Sequence, residues 1–380
     1  METNMTPTED KPVMAPGNGQ KVVVGMSGGV DSSVAAFLLK EAGYEVVGVT
    51  MNVWPKDSRE QIERKGGCCG LSDIEDARRV AGKLGIDYQV LNFREDFKAQ
   101  VIDNFVSEYQ KGRTPNPCIA CNRYVKWQTL FTRSIPMGAD YIATGHYAKK
   151  IYNPDTNRYT IQMIEEHGKD QSYALYNLSQ AQLAKTLFPI GDYAKPAIRE
   201  IAMGIDYVTS TKPDSQDICF IPDNNYGKFL ETQIPDDITP GDFLDVSGKV
   251  IGQHKGIVYY TVGQRKNLGI SFGKPMYVRQ INPADNTVVL ATDHQLYSEG
   301  LTALDINYMY LDSVPEPLRV LAKIRYSHKP VPATISVTAG VLTCHFDEPQ
   351  RAITPGQAAV FYDAQGLLLC GGTIDQAIMA

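Results

Sequence analysis

Residues 22–39 read VVVGMSGGVDSSVAAFLL, a β-branched apolar block that breaks into two glycines, an aspartate and two serines before apolar residues resume at helical spacing. A strand that ends in a glycine-rich turn and enters a helix offers an anion its backbone N–H groups and the positive end of the helix dipole. Gly28 and Gly29 let the backbone come close without a Cβ, and Ser27, Ser32 and Ser33 add hydroxyl donors. Phosphate is the expected guest. The order Ser-Gly-Gly-Val-Asp-Ser-Ser is neither a Walker A loop, which ends in Gly-Lys-Ser/Thr, nor the dinucleotide pattern G-x-G-x-x-G. Asp31 repels phosphate unless it caps the helix or a Mg²⁺ lies between them, so its presence favours a metal-bridged nucleotide. The bland alternative is an ordinary tight turn with Asp31 as N-cap.

From Lys21 to about Tyr147 short β-branched runs (KVVVGM, EVVGVTM, DYQVLNF, DYIATGH) alternate with amphipathic segments at 31–42 and 73–84. That alternation predicts an α/β domain with a parallel sheet covered by helices. Ser72 with Glu75 three residues on reads as a capping box. After about Gly204 turn formers dominate, and beyond about Pro275 short alternating strands follow one another, as in a small antiparallel β-barrel. The expected division is a leader at 1–20 without apolar block, a nucleotide domain at 21–203, a small central domain at 204–274 and a C-terminal β-barrel at 275–380.

A chain of 380 residues is long enough for two or three cores. Its 43% apolar and 21% charged content fits a globular protein, with no apolar run of the roughly 20 residues that spanning a bilayer needs. Seven cysteines, an odd number in a large chain, argue for reduced thiols and a cytoplasmic setting over a disulfide framework. A formal charge of −6 gives no global attraction to nucleic acid. Between Tyr109 and Ala139, however, Lys111, Arg113, Arg123, Lys126 and Arg133 occur without a single acid. This stripe is either a solvated face or a phosphate track.

Cys118 and Cys121 lie in GRTPNPCIACNRYVKW, where Pro115 and Pro117 force an extended approach to a helix. Helix N–H groups and nearby cations favour thiolate, the nucleophilic and metal-binding form. Structural zinc would need a second pair of ligands at similar spacing, and none exists. Cys219 sits in the turn-rich PDSQDICFIPD beside Asp214 and Asp217. Cys344 and Cys370 alternate with apolar strand residues and read as core; Cys68 and Cys69, in GGCCG, read as loop thiols.

SGGVDSS resembles the PP-loop of the N-type ATP pyrophosphatases, which cleave ATP between the α and β phosphates and adenylate an oxygen of their substrate. With GRTPNPCIACN, ATGHYA, GKDQSYAL, KPDSQDICFI and YTVGQRKNLGI, in that order, the chain from Lys21 onward resembles the tRNA-specific 2-thiouridylases of the bacterial MnmA type. The resemblance implies an adenine nucleotide α-hydrolase-like (Rossmann-like) first domain. It implies ATP with Mg²⁺ held by Gly25, Met26, Ser27, Gly28, Gly29, Val30, Asp31, Ser32 and Ser33, with Met51 and Gly145 at adenine or ribose. Cys121 is implied as nucleophile and Cys219 as carrier of a persulfide, the two forming a disulfide once sulfur is transferred. Implied contacts to the target base are Asn116, Pro117 and Cys118, and to tRNA His146, Lys169, Asp170, Gln171, Arg325, Tyr326 and Gln357. Arg265 and Lys266 read as a basic loop or a solvated turn.

The implied partners are tRNAs with a wobble uridine, the lysine, glutamate and glutamine acceptors among them, and a sulfur donor, either a persulfide carrier or a cysteine desulfurase; no membrane is involved. Some members have Asp where this chain has Cys118, which leaves the acid/base role there open. Cys118, Cys121 and Cys219 could instead hold an iron–sulfur cluster with an open iron. A PP-loop ligase for a small molecule, and a non-enzymatic RNA-binding or iron–sulfur protein, leave respectively the thiols and the PP-loop unexplained. If the local stripe meets phosphate, tRNA affinity should fall steeply with salt despite the acidic composition, by a log–log slope of about −0.7 per phosphate contacted on single strands; a flat salt titration contradicts it.

Overall fold

The computed structural model describes residues 15–54, 71–164, 169–213, 218–221, 223–271 and 273–379. Cys68, Cys69, Asp214 and Asp217 lie outside these. Strand β1 (Lys21–Gly25) leads through the glycine turn into α1 (Val30–Glu41), then β2 (Glu45–Asn52), α2 (Leu71–Leu84) and β3 (Asp87–Asn92). The helix α3 (94–110) and the helix α4 (117–134), both with π-helical stretches, precede β4 (Tyr141–Thr144). A hairpin of β5 (Lys149–Asn153) and β6 (Arg158–Gln162) follows, then α5 (Gln180–Ala184), β7 (Thr186–Leu187), α6 (Lys195–Ile205) and α7 (Tyr207–Ser210). The strands assemble as β3-β2-β1-β4-β7, all parallel. Val22, Val23 and Val24 of β1 are wholly buried, which is why the β-branched block is central. Chain order reverses on either side of β1, so the crevice beyond its C-terminal end is the natural ligand position.

Helix α2 begins at Leu71, placing Ser72 inside it, so the capping box expected at Ser72 is not its start. The central unit holds α8 (Tyr226–Gln233), β8 (Gly241–Leu244) and β9 (Val250–His254), joined by β10 (Tyr277–Asn282) and β11 (Thr287–Ala291) in the order β10-β11-β8-β9. This corrects the expected boundary at 274/275, which assigned β10 and β11 to the barrel: Val278, Val288 and Leu290 bury against Phe243 of β8 in one core. Alternation tells a strand from a helix but does not say which sheet receives it. The closed barrel is β12 (Tyr297–Tyr308), β13 (Leu318–Lys323), β14 (Val331–Thr338), β15 (Val341–Arg351), β16 (Ala358–Tyr362) and β17 (Leu368–Ile378), in the order β12-β15-β14-β13-β16-β17. Cys344 and Cys370 are buried in its core, as their alternation requires.

The other expected boundary, at 203/204, cuts through α6, and the residues beyond it still pack on the nucleotide domain. Asp206 caps α7 through Thr209 N–H and is 3% exposed, gripped by Lys83 at 2.6 Å and Arg79 at 3.0 Å from α2. Burial alone would raise its carboxyl pKa, but hydrogen bonds from Lys83, Thr209 and Arg79 outweigh that and hold it well below the carboxylate range. A lowered folded pKa contributes stability that is fully present above the unfolded value of about 3.9 and lost as pH falls through the folded one. Asp206→Ala removes the cap of α7 and an acceptor of Lys83 and Arg79, which stay partly exposed with Arg79 still paired to Asp76, and should cost about 1–2 kcal/mol in denaturant unfolding at neutral pH. The deficit should narrow only below about pH 4; a variant as stable as wild type removes this account.

Candidate active site

The glycine turn after β1 is pinned from several sides. Met26 N–H donates to Val49 O at 2.9 Å, and Thr50 Oγ1 donates to Met26 O at 2.7 Å. Met26 and Val30 bury their side chains, so only their backbone can meet a nucleotide. Gly28 has φ +71°, and a Cβ there would stand 2.2 Å from Asp73 O. Ser27 N–H donates to Ser32 Oγ at 3.1 Å, and Ser33 Oγ donates back to Gly29 O at 2.8 Å, so these two hydroxyls brace the loop. Gly29 is the N-cap of α1, which removes the reading of Asp31 as cap.

Asp31 lies in the first turn, where its Oδ1 accepts from Tyr147 Oη at 2.8 Å and pairs with Lys195 Nζ at 2.6 Å. The sequence offered no partner for Asp31; the fold supplies a cation from α6. Gly145 packs onto the same turn: a Cβ there would lie 2.6 Å from Asp31 C and Ser32 N. Met51, near the end of β2, is half-buried at the edge of this crevice.

The thiol-bearing helix α4 starts cleanly. Asn116 is its N-cap, with Oδ1 accepting from Ile119 N–H at 3.2 Å, and Pro117 occupies the first position. Cys118 in the first turn is exposed; Cys121, half-buried, opens a π-helical stretch over Cys121–Leu130. Cys219 is also half-buried, beside Phe220, which packs edge-on to Phe97 and Phe105. Among the described residues, no three His, Cys, Asp or Glu side chains converge as a metal-binding group. Cys118, Cys121 and Cys219 are therefore not gathered as cluster ligands in this conformation.

The barrel fixes the approach to α4. Thr114 N–H donates to Pro355 O at 2.8 Å, and Gln357 Nε2 donates to Thr114 O and Pro115 O at 2.9 and 3.2 Å. Gln357, expected to touch RNA, thus places its amide on this loop. Arg113 is held by Glu108 at 2.8 Å and Asp375 at 3.3 Å, and Arg133 by Asp96 at 2.6 Å. Lys111 pairs with Glu108 as well, at 3.1 Å, so three of the five cations of the stripe meet acids of the fold. A cavity of about 340 Å³ opens between α4 and the barrel, lined by Lys111, Arg113, Asn116, Arg123, Tyr176 and Asp305 among others.

His146 is buried, its Nδ1 2.7 Å from Thr144 Oγ1 and its ring 5.3 Å from Trp127. Burial, with Lys126 nearby, keeps its pKa well below 6.5, so it is neutral at pH 7. Gln171 ties its loop to β4 by accepting from Tyr147 N–H at 2.9 Å, and Lys169 precedes it, half-buried. Asp170 accepts from Ser172 Oγ at 2.7 Å. On the barrel, Arg325 donates to Arg351 O at 3.2 Å and Tyr326 is 49% exposed, the sort of aromatic face on which a base stacks. Arg265 and Lys266 are exposed in their loop. Lys195 and Tyr147 are residues beside the glycine turn that sequence reading missed.

A glycine-rich turn leading from the end of a central parallel strand into a helix defines an α/β protein of the nucleotide-binding kind. Family models match in series: a tRNA methyl transferase HUP domain over residues 20–223, a tRNA methyl transferase PRC-barrel domain over 227–292 and an aminomethyltransferase β-barrel domain over 298–374. The tRNA-specific 2-thiouridylase MnmA of Lachnoclostridium phytofermentans is 54% identical over 93% of this chain and 99% of its own length. That of Clostridioides difficile is 53% identical over 94% and 99%. The chain belongs to the tRNA-specific 2-thiouridylase family. Among solved structures, a 4-thiouridine synthetase–RNA complex with bound ATP aligns with a TM-score of 0.33 at 20% identity, over 58% of this chain and 52% of that one, too loose a likeness to carry an inference.

Gly145→Ala tests the packing of the loop. Its Cβ cannot be accommodated without moving the start of α1, an overlap that should cost about 1–3 kcal/mol of stability. ATP affinity, measured by calorimetry, should drop about tenfold, the equivalent of 1.4 kcal/mol; unchanged ATP binding shows that the start of α1 does not hold the nucleotide.

Proposed function

We propose that this protein thiolates C2 of the wobble uridine of tRNA at the expense of ATP. The observation that carries the reading is the pairing of an anion loop, its acid neutralised by Lys195, with two half-buried thiols on a frame that the barrel holds in place. The 2-thiouridylase relatives support it, and the thiols favour sulfur transfer over the methyl transfer named in two of the family models.

The backbone N–H groups from Gly28 to Ser32, at the start of α1, receive the phosphates of ATP. Asp31, already held by two donors, would carry Mg²⁺ alongside them, and the ion would supply neutralising charge. C2 of uracil is an unreactive amide-like carbon; attack of O2 on the α-phosphate releases pyrophosphate and makes AMP a leaving group. The terminal sulfur of a Cys219 persulfide then attacks C2 and AMP departs. Cys121 thiolate attacks Cys219 Sγ, the sulfur–sulfur bond breaks, and the outer sulfur stays on C2 as the thiocarbonyl. The products on the enzyme are a Cys121–Cys219 disulfide, which a dithiol reductant resets.

Asn116, Pro117 and Cys118 face the flipped base, as base chemistry outside the stack requires. Lys169, Asp170, Gln171, Arg325 and Tyr326 hold the RNA, with His146 and Gln357 behind them as packing and loop supports. The donor of the persulfide is a sulfur carrier or desulfurase, the lysine, glutamate and glutamine tRNAs are the acceptors, and the reducing cytoplasm keeps the thiols available.

Labelled sulfur from a persulfide donor should enter unmodified tRNA in the presence of ATP with the wild-type enzyme. Cys121→Ala and Cys219→Ala should each lower incorporation by at least about 10³-fold, as loss of a covalent participant does. Normal thiolation by both variants sinks the assigned roles.

A further inference from the structure

Lys323, the last residue of β13, is 7% exposed, a depth at which lysine is rarely found unpaired. Its Nζ lies 3.8 Å from Asp170 Oδ2, beyond hydrogen-bond reach, and 5.8 and 5.7 Å from the ring centres of Tyr173 and Tyr326. Among the described residues no acceptor stands within hydrogen-bond distance of its three N–H donors. Asp170 is itself occupied, accepting from Ser172 N–H at 3.2 Å, Ser172 Oγ at 2.7 Å and Ile164 N–H at 3.3 Å. Burial pulls the Lys323 pKa below 10.5 and Asp170 only partly restores it, so the ammonium is poorly solvated and gains from an anionic acceptor.

Three segments meet here. Asp170 comes from the nucleotide domain and Tyr326 from the barrel, while Cys118, from the start of α4, is near enough that its charge raises the Tyr326 phenol, after burial and Asp170. On the reading above, these segments surround the target uracil. N3–H of the uracil ionises to water, and O2 of the resulting anion attacks the α-phosphate: the O2–P bond forms, the bond from Pα to the bridging oxygen breaks, and the adenylated base is neutral. Before that attack the negative charge is spread over N3, O4 and O2, where a fixed, desolvated cation is worth far more than in water.

We propose that Lys323 is a catalytic residue whose ammonium, anchored by Asp170 and walled by Tyr173 and Tyr326, donates a hydrogen bond to O4 of the flipped uracil and stabilises the N3-deprotonated anion whose O2 is adenylated. This rests on the 2-thiolation reading and adds to it a residue that neither the loop nor the thiols account for.

The test compares full-length wild type, Lys323→Met and Lys323→Arg on tRNA carrying uridine or 5-fluorouridine at the target position, with pyrophosphate release and sulfur incorporation read separately. Fluorine makes N3–H more acidic and so takes over part of the lysine's task. On uridine, Lys323→Met should lose about 100-fold in the rate of tRNA-dependent pyrophosphate release with KM for ATP unchanged. On 5-fluorouridine the loss should shrink to about tenfold or less, and Lys323→Arg should fall between Met and wild type. An equal loss on both bases, as a merely structural lysine would give, overturns the proposal, and so does a Lys323→Met rate within about twofold of wild type on uridine. If Lys323→Met does not fold, Lys323→Gln carries the same comparison. A wild type that releases pyrophosphate with tRNA but incorporates no sulfur contradicts the thiolation reading and leaves the lysine comparison intact; one that releases none overturns both.

Discussion

The barrel's grip on the nucleotide domain is the constraint from which the site follows. Gly356 has φ +90°, and its missing Cβ leaves room for the backbone of Thr114, which a side chain would meet at 2.9 Å. Around that contact, Tyr173 Oη donates to Ala358 O at 2.9 Å, Asn307 Nδ2 to Tyr176 O at 2.6 Å and Thr160 Oγ1 to Leu368 O at 2.7 Å. These are bonds between fixed backbone carbonyls and side chains that are buried or partly so, and an unsatisfied partner there would cost about 1–3 kcal/mol. The hydrophobic core is continuous across the same seam, with Val360, Tyr362 and Leu368 of the barrel in one cluster with Trp127 and Tyr173. A cysteine-bearing helix entered from such a seam has its first turn located by two domains at once, which is the preorganisation that covalent chemistry needs.

Charge is managed locally on a chain that is acidic as a whole. Asp31 stands in the first turn of α1, directly after the glycine turn, and Lys195 with Tyr147 satisfies it. Lys212 does similar work on the far side, pairing with Asp73 at 2.9 Å and with Asp76 while donating to Gly28 O at 3.1 Å. Desolvation lowers the Lys212 pKa but its two carboxylate partners raise it more, so it stays charged. Ion pairs outside the loop thus help it keep its shape. Net charge says little about such a site, because screening confines each of these interactions to about 8–10 Å.

What the sequence disclosed and what it hid divide along a physical line. The parallel sheet, the anion loop and the start of α4 were legible because each rests on local rules: β-branched runs, glycines at a turn, and Asn-Pro at a helix entrance. Cys344 and Cys370 were legible as core from period-two alternation. The partners of Asp31 were not, since Lys195 is separated from it by most of a domain and sits on a helix whose own pattern concerns only its apolar face. Placing β10 and β11 failed for the same reason, because strand pairing is a long-range choice. The basic stripe misled in part: the run contains no acid, yet the fold brings Glu108, Asp375 and Asp96 to Lys111, Arg113 and Arg133 from outside it.

Those imported acids explain why the stripe is no uniform track. Arg113 lies at the seam, where its guanidinium also donates to Ile374 O at 2.9 Å, so it is a fastener between domains with little freedom to follow a phosphate backbone. Arg123 instead lies over the Tyr124 ring at 5.1 Å and lines the cavity with Lys111 and Asn116. A cation stacked on an aromatic face keeps its edge N–H groups available, the geometry by which arginine grips phosphate bidentately. On the proposed function, phosphate contact would fall on discrete points around the cavity mouth and the exposed loop of Arg265 and Lys266, not on the run as a whole. Discrete points suit a substrate that must surrender one base to a pocket while its backbone is held on either side, since they fix register without demanding a continuous groove.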